Sequence, residues 1–489
     1  MLFNSPEFIF LFLPTALIAT LLARYLFGSK GAVCALIVAS LAFYATWRVW
    51  AVWLLIASIS INLCCGLLML RVRAWAWHLL IFGLIFNLSL LGYFKYADFF
   101  LTSFGIAAGS IGAIILPLGI SFYTFQKIAF LVDIYRGRIQ EVRTMEFVLM
   151  AAFFPQLIAG PIVHYQEVAS QYADRIRVNA DTVALGLSVF AFGLAKKVFL
   201  ADTLAIYVKQ RFDAAAAGPV EFFGSWIGAL AYTFQLYFDF SGYSDMAIGL
   251  ALMFGIVLPV NFLSPYKSTS IIEFWRRWHI TLSRFLRDYL YVPLGGNRRG
   301  ELHRHGNLIT VMLLGGLWHG AAWTFVFWGG LHGIYLVLNH LWRRVGGRLP
   351  ALLAAPVCFL AVVLAWVFFR APTFEVATTM LRGMAGLEGA IVPYGVMAWL
   401  DLSEYRTWAG ASMNPVDFAA SFVVIGVAAA IAFLTPNTMQ IFGLVESRAG
   451  APRPLTATLR TPAVAGILLA LSMLGVIGAA PTEFLYFQF

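Results

Sequence analysis

The chain has 489 residues, 61% of them hydrophobic, 16% aromatic and only 11% charged, with a formal net charge of +10. Soluble domains carry roughly 25% charged residues, so this composition excludes a water-soluble globule and leaves lipid as the solvent. The basic excess is what Lys- and Arg-rich cytoplasmic loops produce; no RNA- or DNA-binding pattern accompanies it, and no nucleic-acid partner is expected.

Apolar runs of about 18–22 residues, long enough to cross roughly 30 Å of hydrocarbon, recur along the whole sequence. Candidate spans cover roughly 8–27, 32–47, 49–70, 78–96, 113–132, 145–163, 183–204, 222–240, 246–262, 307–320, 324–342, 351–370, 416–435 and 463–480. Some are too short or broken to cross fully, so about eleven to thirteen true spans are expected. Residues 1–7 lack a basic leader region, so 8–27 reads as a permanent span rather than a removed signal. Pro155 and Pro161 interrupt 145–163 and predict an irregular or re-entrant segment. Arg24 and Lys30, then Arg71 and Arg73, then Arg136, Arg138 and Arg143 mark every second loop as cytoplasmic, which places the N-terminus outside. No repeat or linker divides the chain, so 1–489 reads as one all-α transmembrane domain. Cys34, Cys64, Cys65 and Cys358 lie in apolar runs and read as small hydrophobes, with no metal site among them.

The stretch 271–292 differs. Trp275, Trp278, Leu282, Phe285 and Tyr289 recur at three- and four-residue steps, with Arg276, Arg277, Arg284 and Arg287 on the polar side. That pattern predicts an amphipathic helix at the membrane interface. Glu273–Arg277 and Arg284–Asp288 pairs would support it. With Arg298, Arg299 and Arg304 the segment 271–306 is a basic helix and loop, and with Lys267 the stretch 264–306 is the most basic of the chain. The arginines Arg276, Arg277, Arg284 and Arg298 suit the phosphates of an anionic co-substrate, and equally suit lipid headgroups. The following run, 307–342, reads as a hairpin. About thirteen helical residues starting from the basic loop advance roughly 20 Å, which puts His319 near the bilayer middle.

An imidazole at that depth costs free energy and marks a functional site by default. Gly315, Gly316 and Gly320 around it remove bulk and let a backbone or ligand approach. His279 sits in the basic segment, where an interfacial packing role competes with a catalytic one. Asp239 and Asp245 read first as members of structural ion pairs, His332 as packing, and His340 as facing water near Arg343. The segment 371–415 carries mixed charge (Glu375, Arg382, Glu388, Asp401, Glu404, Arg406) with Tyr394, Trp399 and Trp408. It reads as an outer loop with the composition of a docking surface, or as a headgroup-level aromatic belt.

The stretches FWRRWHITLSRFLRDYLYVPLGGNRRG and GGLWHGAAWTFVFWGGLHG resemble the membrane-bound O-acyltransferase family, in its bacterial alginate O-acetyltransferase branch. FFPQLIAGPIVHY, YFDFSGYSDMAIGLALMFG and the terminal EFLYFQF are similar to that branch as well. The resemblance implies a bowl of helices around a thin core crossed by a tunnel. It makes His319 the family's invariant histidine and His279 the second histidine of the bacterial branch, both catalytic. It implies an enzyme of the bacterial inner membrane with no permanently bound cofactor, using acetyl-CoA or another acyl thioester as co-substrate. Its partners would be membrane lipids, an exported, alginate-like polysaccharide acceptor and a periplasmic acetyl-accepting acetyltransferase. In that reading His319 is the general base, a role suited to a group titrating near neutrality. The rivals are an acyltransferase acting on teichoic acid, peptidoglycan or lipid, and a transporter of an anionic substrate. Transporters often carry paired broken repeats, and none is visible here.

Overall fold

The computed structural model describes residues 1–390 apart from 108, 110, 111, 113, 175 and 177, together with 392–393, 409–410, 415–444, 460–478 and 482–485. It is an all-α membrane fold. Among the described residues the one ladder is a two-residue parallel pairing of Val392–Pro393 with Ala409–Gly410. Six helical runs there are long and apolar enough to cross a membrane: Glu7–Ala45, Val49–Arg71, Arg73–Ser103, Ala180–Ala217, Ala351–Arg370 and Val416–Leu434. The expected count was higher partly because one pair of expected spans shares a single helix. Runs 222–240 and the first eight residues of 246–262 form a single helix, Phe222–Met253. Runs 8–27 and 32–47, by contrast, are two helices that meet at Gly28 within the stretch α1 (Leu13–Ala45); its φ of 66° and ψ of −158° break the helix there, and only glycine adopts them readily.

After α2 (Val49–Arg71), α3 (Ala76–Leu91) ends in a π-helical turn, Gly92–Tyr96. Next comes α4 (Ile120–Tyr135). The proline-broken segment behaves as expected: Thr144–Ala152 is helical, Phe153 breaks it, and Phe154–Leu157 forms one short turn. Every residue from Leu149 to Val163 is buried. Irregular backbone at that depth needs protein partners. Here the Phe154 N–H donates to Ser40 Oγ at 3.1 Å, Gln156 Nε2 to the Met150 carbonyl at 2.8 Å, and the Ile162 N–H to Thr281 Oγ1 at 3.0 Å.

The centre of the molecule is α6 (Phe222–Met253), which packs along α5 (Ala180–Ala195). All residues from Ala231 to Phe254 are buried, the mark of a helix surrounded by protein on every side. Two glycine pairs bring its backbone against that of α5. A Cβ on Gly186 would lie 2.4 Å from the Gly249 carbonyl oxygen, and one on Gly193 would lie 2.6 Å from that of Gly242. Small residues that let helix backbones touch are the usual device where lipid removes the hydrophobic drive for association. Gly193→Leu should therefore force the two helices apart. We expect at least a severalfold fall in monodisperse protein recovered in detergent, with Gly186→Ala showing a smaller fall; full recovery of Gly193→Leu would contradict the packing.

The expected ion pairs of α6 form with lysines. Lys196 Nζ donates to Asp245 at 2.6 Å. Lys197 Nζ donates to Asp239 at 2.7 Å and pairs with Asp202 at 2.9 Å. The second carboxylate oxygen of Asp239 accepts the Leu485 N–H, tying the C-terminal region to the core.

The hairpin expected over 307–342 comprises α7 (Glu301–His319) and α8 (Trp323–Arg344). Glycines again set the approach: a Cβ on Gly316 would lie 2.2 Å from the Phe325 carbonyl oxygen, and one on Gly329 would lie 2.1 Å from that of Met312. Of the glycines near His319, Gly316 thus admits the partner helix's backbone, while Gly315 and Gly320 make room for the side chains of Leu286 and Phe325. α9 (Ala351–Arg370) packs against α8. In the 371–415 segment, Phe374–Met384 is a helix capped by Thr373 Oγ1, which accepts the Val376 N–H. Tyr394, Trp399, Asp401, Glu404, Arg406 and Trp408 lie outside the described residues.

Candidate active site

The basic segment is not one interfacial helix. It breaks into helices Ile271–Arg277 and Ile280–Leu286 and a π-helical turn, Arg287–Tyr291, with the break at Trp278-His279. Its aromatic face lies in the protein core: Trp275, Trp278, Leu282, Phe285 and Tyr289 are all buried. The periodicity was real; what it faces is protein. The expected Glu273–Arg277 pair forms at 2.7 Å. Arg284 instead makes a two-pronged bond to Glu167, with Nη2–Oε2 at 2.9 Å, and Asp288 pairs with Arg287 at 2.7 Å. The π-helical turn widens the register and carries Asp288 off the face of Arg284. Tyr289 reaches inward, where its hydroxyl donates to Asp133 Oδ2 at 2.7 Å and lies 2.9 Å from His164 Nδ1. Of the four arginines considered for phosphates, Arg277 and Arg284 are committed to carboxylates, while Arg276 and Arg298 are exposed.

His279 sits at the break itself, fully buried. Its φ of 42° and ψ of 54° place a non-glycine residue in the left-handed region, a conformation costing about 1–2 kcal/mol and retained chiefly where surroundings or function demand it. Asn261 holds it there. The Ile280 N–H donates to the Asn261 carbonyl at 3.0 Å. Asn261 Oδ1 accepts from Thr281 N at 3.3 Å and Thr281 Oγ1 at 2.9 Å, and lies 3.2 Å from His279 Nδ1. Since an amide oxygen only accepts, Nδ1 carries the proton and Nε2 is the basic nitrogen. The ring packs edge-on against Phe240 at 4.8 Å between centroids and faces Phe122 at 6.4 Å.

His319 is the last residue of α7 and is buried at 4% exposure. Its ring touches those of Trp318, Trp328 and Phe369, at centroid distances of 5.0, 5.2 and 5.2 Å. The His279 and His319 rings, forty residues apart in sequence, lie 6.4 Å apart and are inclined at 64°. A reacting group placed between them would be within hydrogen-bond reach of both. His332 is buried nearby, where it accepts the Trp275 indole N–H at 3.3 Å and packs on Trp328 and Trp366.

Among the residues at this site, Lys95, Tyr96 and Asn261 were not singled out from the sequence. Lys95 is turned inward from the π-helical turn. Its Nζ donates to the carbonyls of Trp318 at 2.7 Å and His319 at 3.1 Å, and to Ser121 Oγ at 3.3 Å. Tyr96 OH donates to the Leu317 carbonyl at 3.0 Å. The signal for Lys95 was present, because a lone lysine in LGYFKYADFF is as costly beside hydrocarbon as His319. Asn261 gave no such signal. Beside Lys95 lies a cavity of about 270 Å³ lined by Tyr44, Thr46, Lys95, Ser121, Phe122 and Glu483 among others. Phe122 forms the wall between this cavity and the two histidines, packing on Trp318 at 5.2 Å.

Comparison with known proteins accords with this geometry. Residues 89–368, more than half of the chain, match the family described as MBOAT, membrane-bound O-acyltransferase family. The chain is 46% identical to the peptidoglycan O-acetyltransferase of Helicobacter pylori, over 80% of each protein. It is 39% identical to the probable alginate O-acetylase AlgI of Pseudomonas putida, over 100% of each. It is 29% identical to the teichoic acid D-alanyltransferase of Streptococcus thermophilus, over 46% of this chain and 57% of that one. With its apolar spanning helices and this match, the chain is a multi-pass membrane O-acyltransferase and belongs to the membrane-bound O-acyltransferase family.

Proposed function

We propose that the protein moves an acetyl group from a cytoplasmic thioester, acetyl-CoA or another acyl thioester, to a hydroxyl on the outer side of the bacterial inner membrane. The carrying observation is the pair of buried histidines, brought from separate segments to 6.4 Å between ring centroids. The hydroxyl oxygen attacks the thioester carbonyl while His319 takes its proton. The C–S bond then breaks, an ester forms, and the thiolate leaves to be protonated as the free thiol. His279, held by Asn261 with Nε2 as its basic nitrogen, contacts the donor from the side of the basic segment. Arg276 and Arg298 are exposed there and suit the donor's phosphates. The hydroxyl enters past Lys95 and Phe122 from the cavity on the opposite side. Loop charge supports this orientation, because Arg136 donates to the Asp288 carbonyl at 3.1 Å, which sets the loop of Arg136, Arg138 and Arg143 beside the basic segment.

The final acceptor is an exported glycan reached through a periplasmic acetyl-accepting partner, with the 371–415 segment on the partner's side. The relatives' names point to two acceptors, an alginate-like polymer and peptidoglycan. Sealed inside-out membrane vesicles supplied with acetyl-labelled thioester should transfer label to hydroxyls in the lumen. Right-side-out vesicles given the same external donor should not. Equal labelling from both orientations would overturn the sidedness, and no ester formation in either would overturn the reaction. Comparing labelled alginate-like polymer with labelled peptidoglycan names the acceptor.

A further inference from the structure

We infer that Lys95 is a positioning residue that sets where His319 stands; the inference rests on the reading of His319 as the base. An ammonium has three hydrogens to donate and no acceptor capacity. All three acceptors of Lys95 are neutral: the carbonyls of Trp318 and His319 and the hydroxyl of Ser121. None of its donors is left for a substrate anion, although the residue lines the cavity, so its role is to hold protein.

What it holds is the C-terminus of α7. The last carbonyls of a helix have no partner within the helix, and the macrodipole puts partial negative charge there, worth most when a cation sits within the last turn. α7 stops at His319 because the chain turns extended at Gly320, with φ −158° and ψ 151°. Lys95 binds two of the released carbonyls and Tyr96 a third, that of Leu317. Successive residues of one π-helical turn thus clamp the helix end that carries the base. The ammonium also lies 5.9 Å from the centroid of the Trp318 ring, and that ring packs against both histidines. A helix end left unclamped would let the imidazole drift, and misplacement by about 1 Å can cost roughly 100-fold in rate.

The test is Lys95→Met in purified, detergent-solubilised protein, measured for acetyl transfer. We expect kcat to fall roughly 10- to 100-fold, with KM for the thioester donor within about twofold of wild type. A Lys95→Cys variant treated with 2-bromoethylamine regains an amine on a stem of nearly the same length and should recover much of the lost kcat, whereas treated wild type should not change. A purely structural lysine would instead lower protein recovery without a selective loss of kcat. If Lys95→Met is not recovered folded, Tyr96→Phe decides: it removes the milder clamp and should lower kcat about 3- to 10-fold at unchanged KM. Wild-type kcat in Lys95→Met, or in Tyr96→Phe where the first cannot be purified, overturns the inference while His319→Ala remains inactive. An active His319→Ala would remove the underlying reading instead.

Discussion

His319→Ala is expected to abolish acetyl transfer while leaving the protein folded. General-base removal typically costs 10²–10⁴-fold, so residual activity should fall to about 1% or less of wild type. The fold should be indifferent because the bonds that fix this helix end are made by backbone carbonyls. Lys95 binds the main chain at 318 and 319, and Tyr96 binds it at 317; none of these uses the imidazole. Recovery of monodisperse protein at wild-type level together with loss of product ester is the predicted pair of results. Retention of a tenth or more of the activity would remove His319 from the chemistry.

The second large effect is at His279. His279→Ala and His279→Gly should both lose activity by about 100-fold or more, since both remove the ring that faces His319. Their stabilities should differ in a direction set by the backbone. At φ 42° and ψ 54° any L-side chain is strained, whereas glycine is not. The glycine variant should therefore resist heat better than the alanine variant, by about 1 kcal/mol. A position where the inactive glycine form is the less strained one is the signature of strain kept for function. Equal melting of the two variants would mean that the break at 278–279 relaxes once the ring is gone. Wild-type activity in either would mean that His279 only packs.

How much of this was legible in the chain depends on whether the signal is local. Composition alone required lipid as solvent, and hydropathy located most spanning segments. The family is carried by short motifs around His279 and His319 that survive without any structure. The proline-broken 145–163 segment was readable because proline acts on its own neighbours. The helix break at His279 was not, because nothing between Arg276 and Leu282 breaks a helix by propensity. It is imposed by Asn261, eighteen positions away. For the same reason the Trp275-to-Tyr289 stripe predicted an interfacial helix: periodicity reports that one face is apolar, and only neighbours decide whether lipid or protein covers it. The partner of Arg284 was equally hidden, because Glu167, which engages it, lies 117 residues away. Lys95 shows the limit most directly. Its cost in an apolar run was visible in the sequence, but two of its three partners are carbonyls more than 220 positions distant. Main-chain oxygens carry no residue identity, so no sequence pattern announces them. The sequence by itself therefore determined the solvent, the family and the two histidines. The tertiary structure alone decided that these histidines face each other, and that a lysine holds one of them in place.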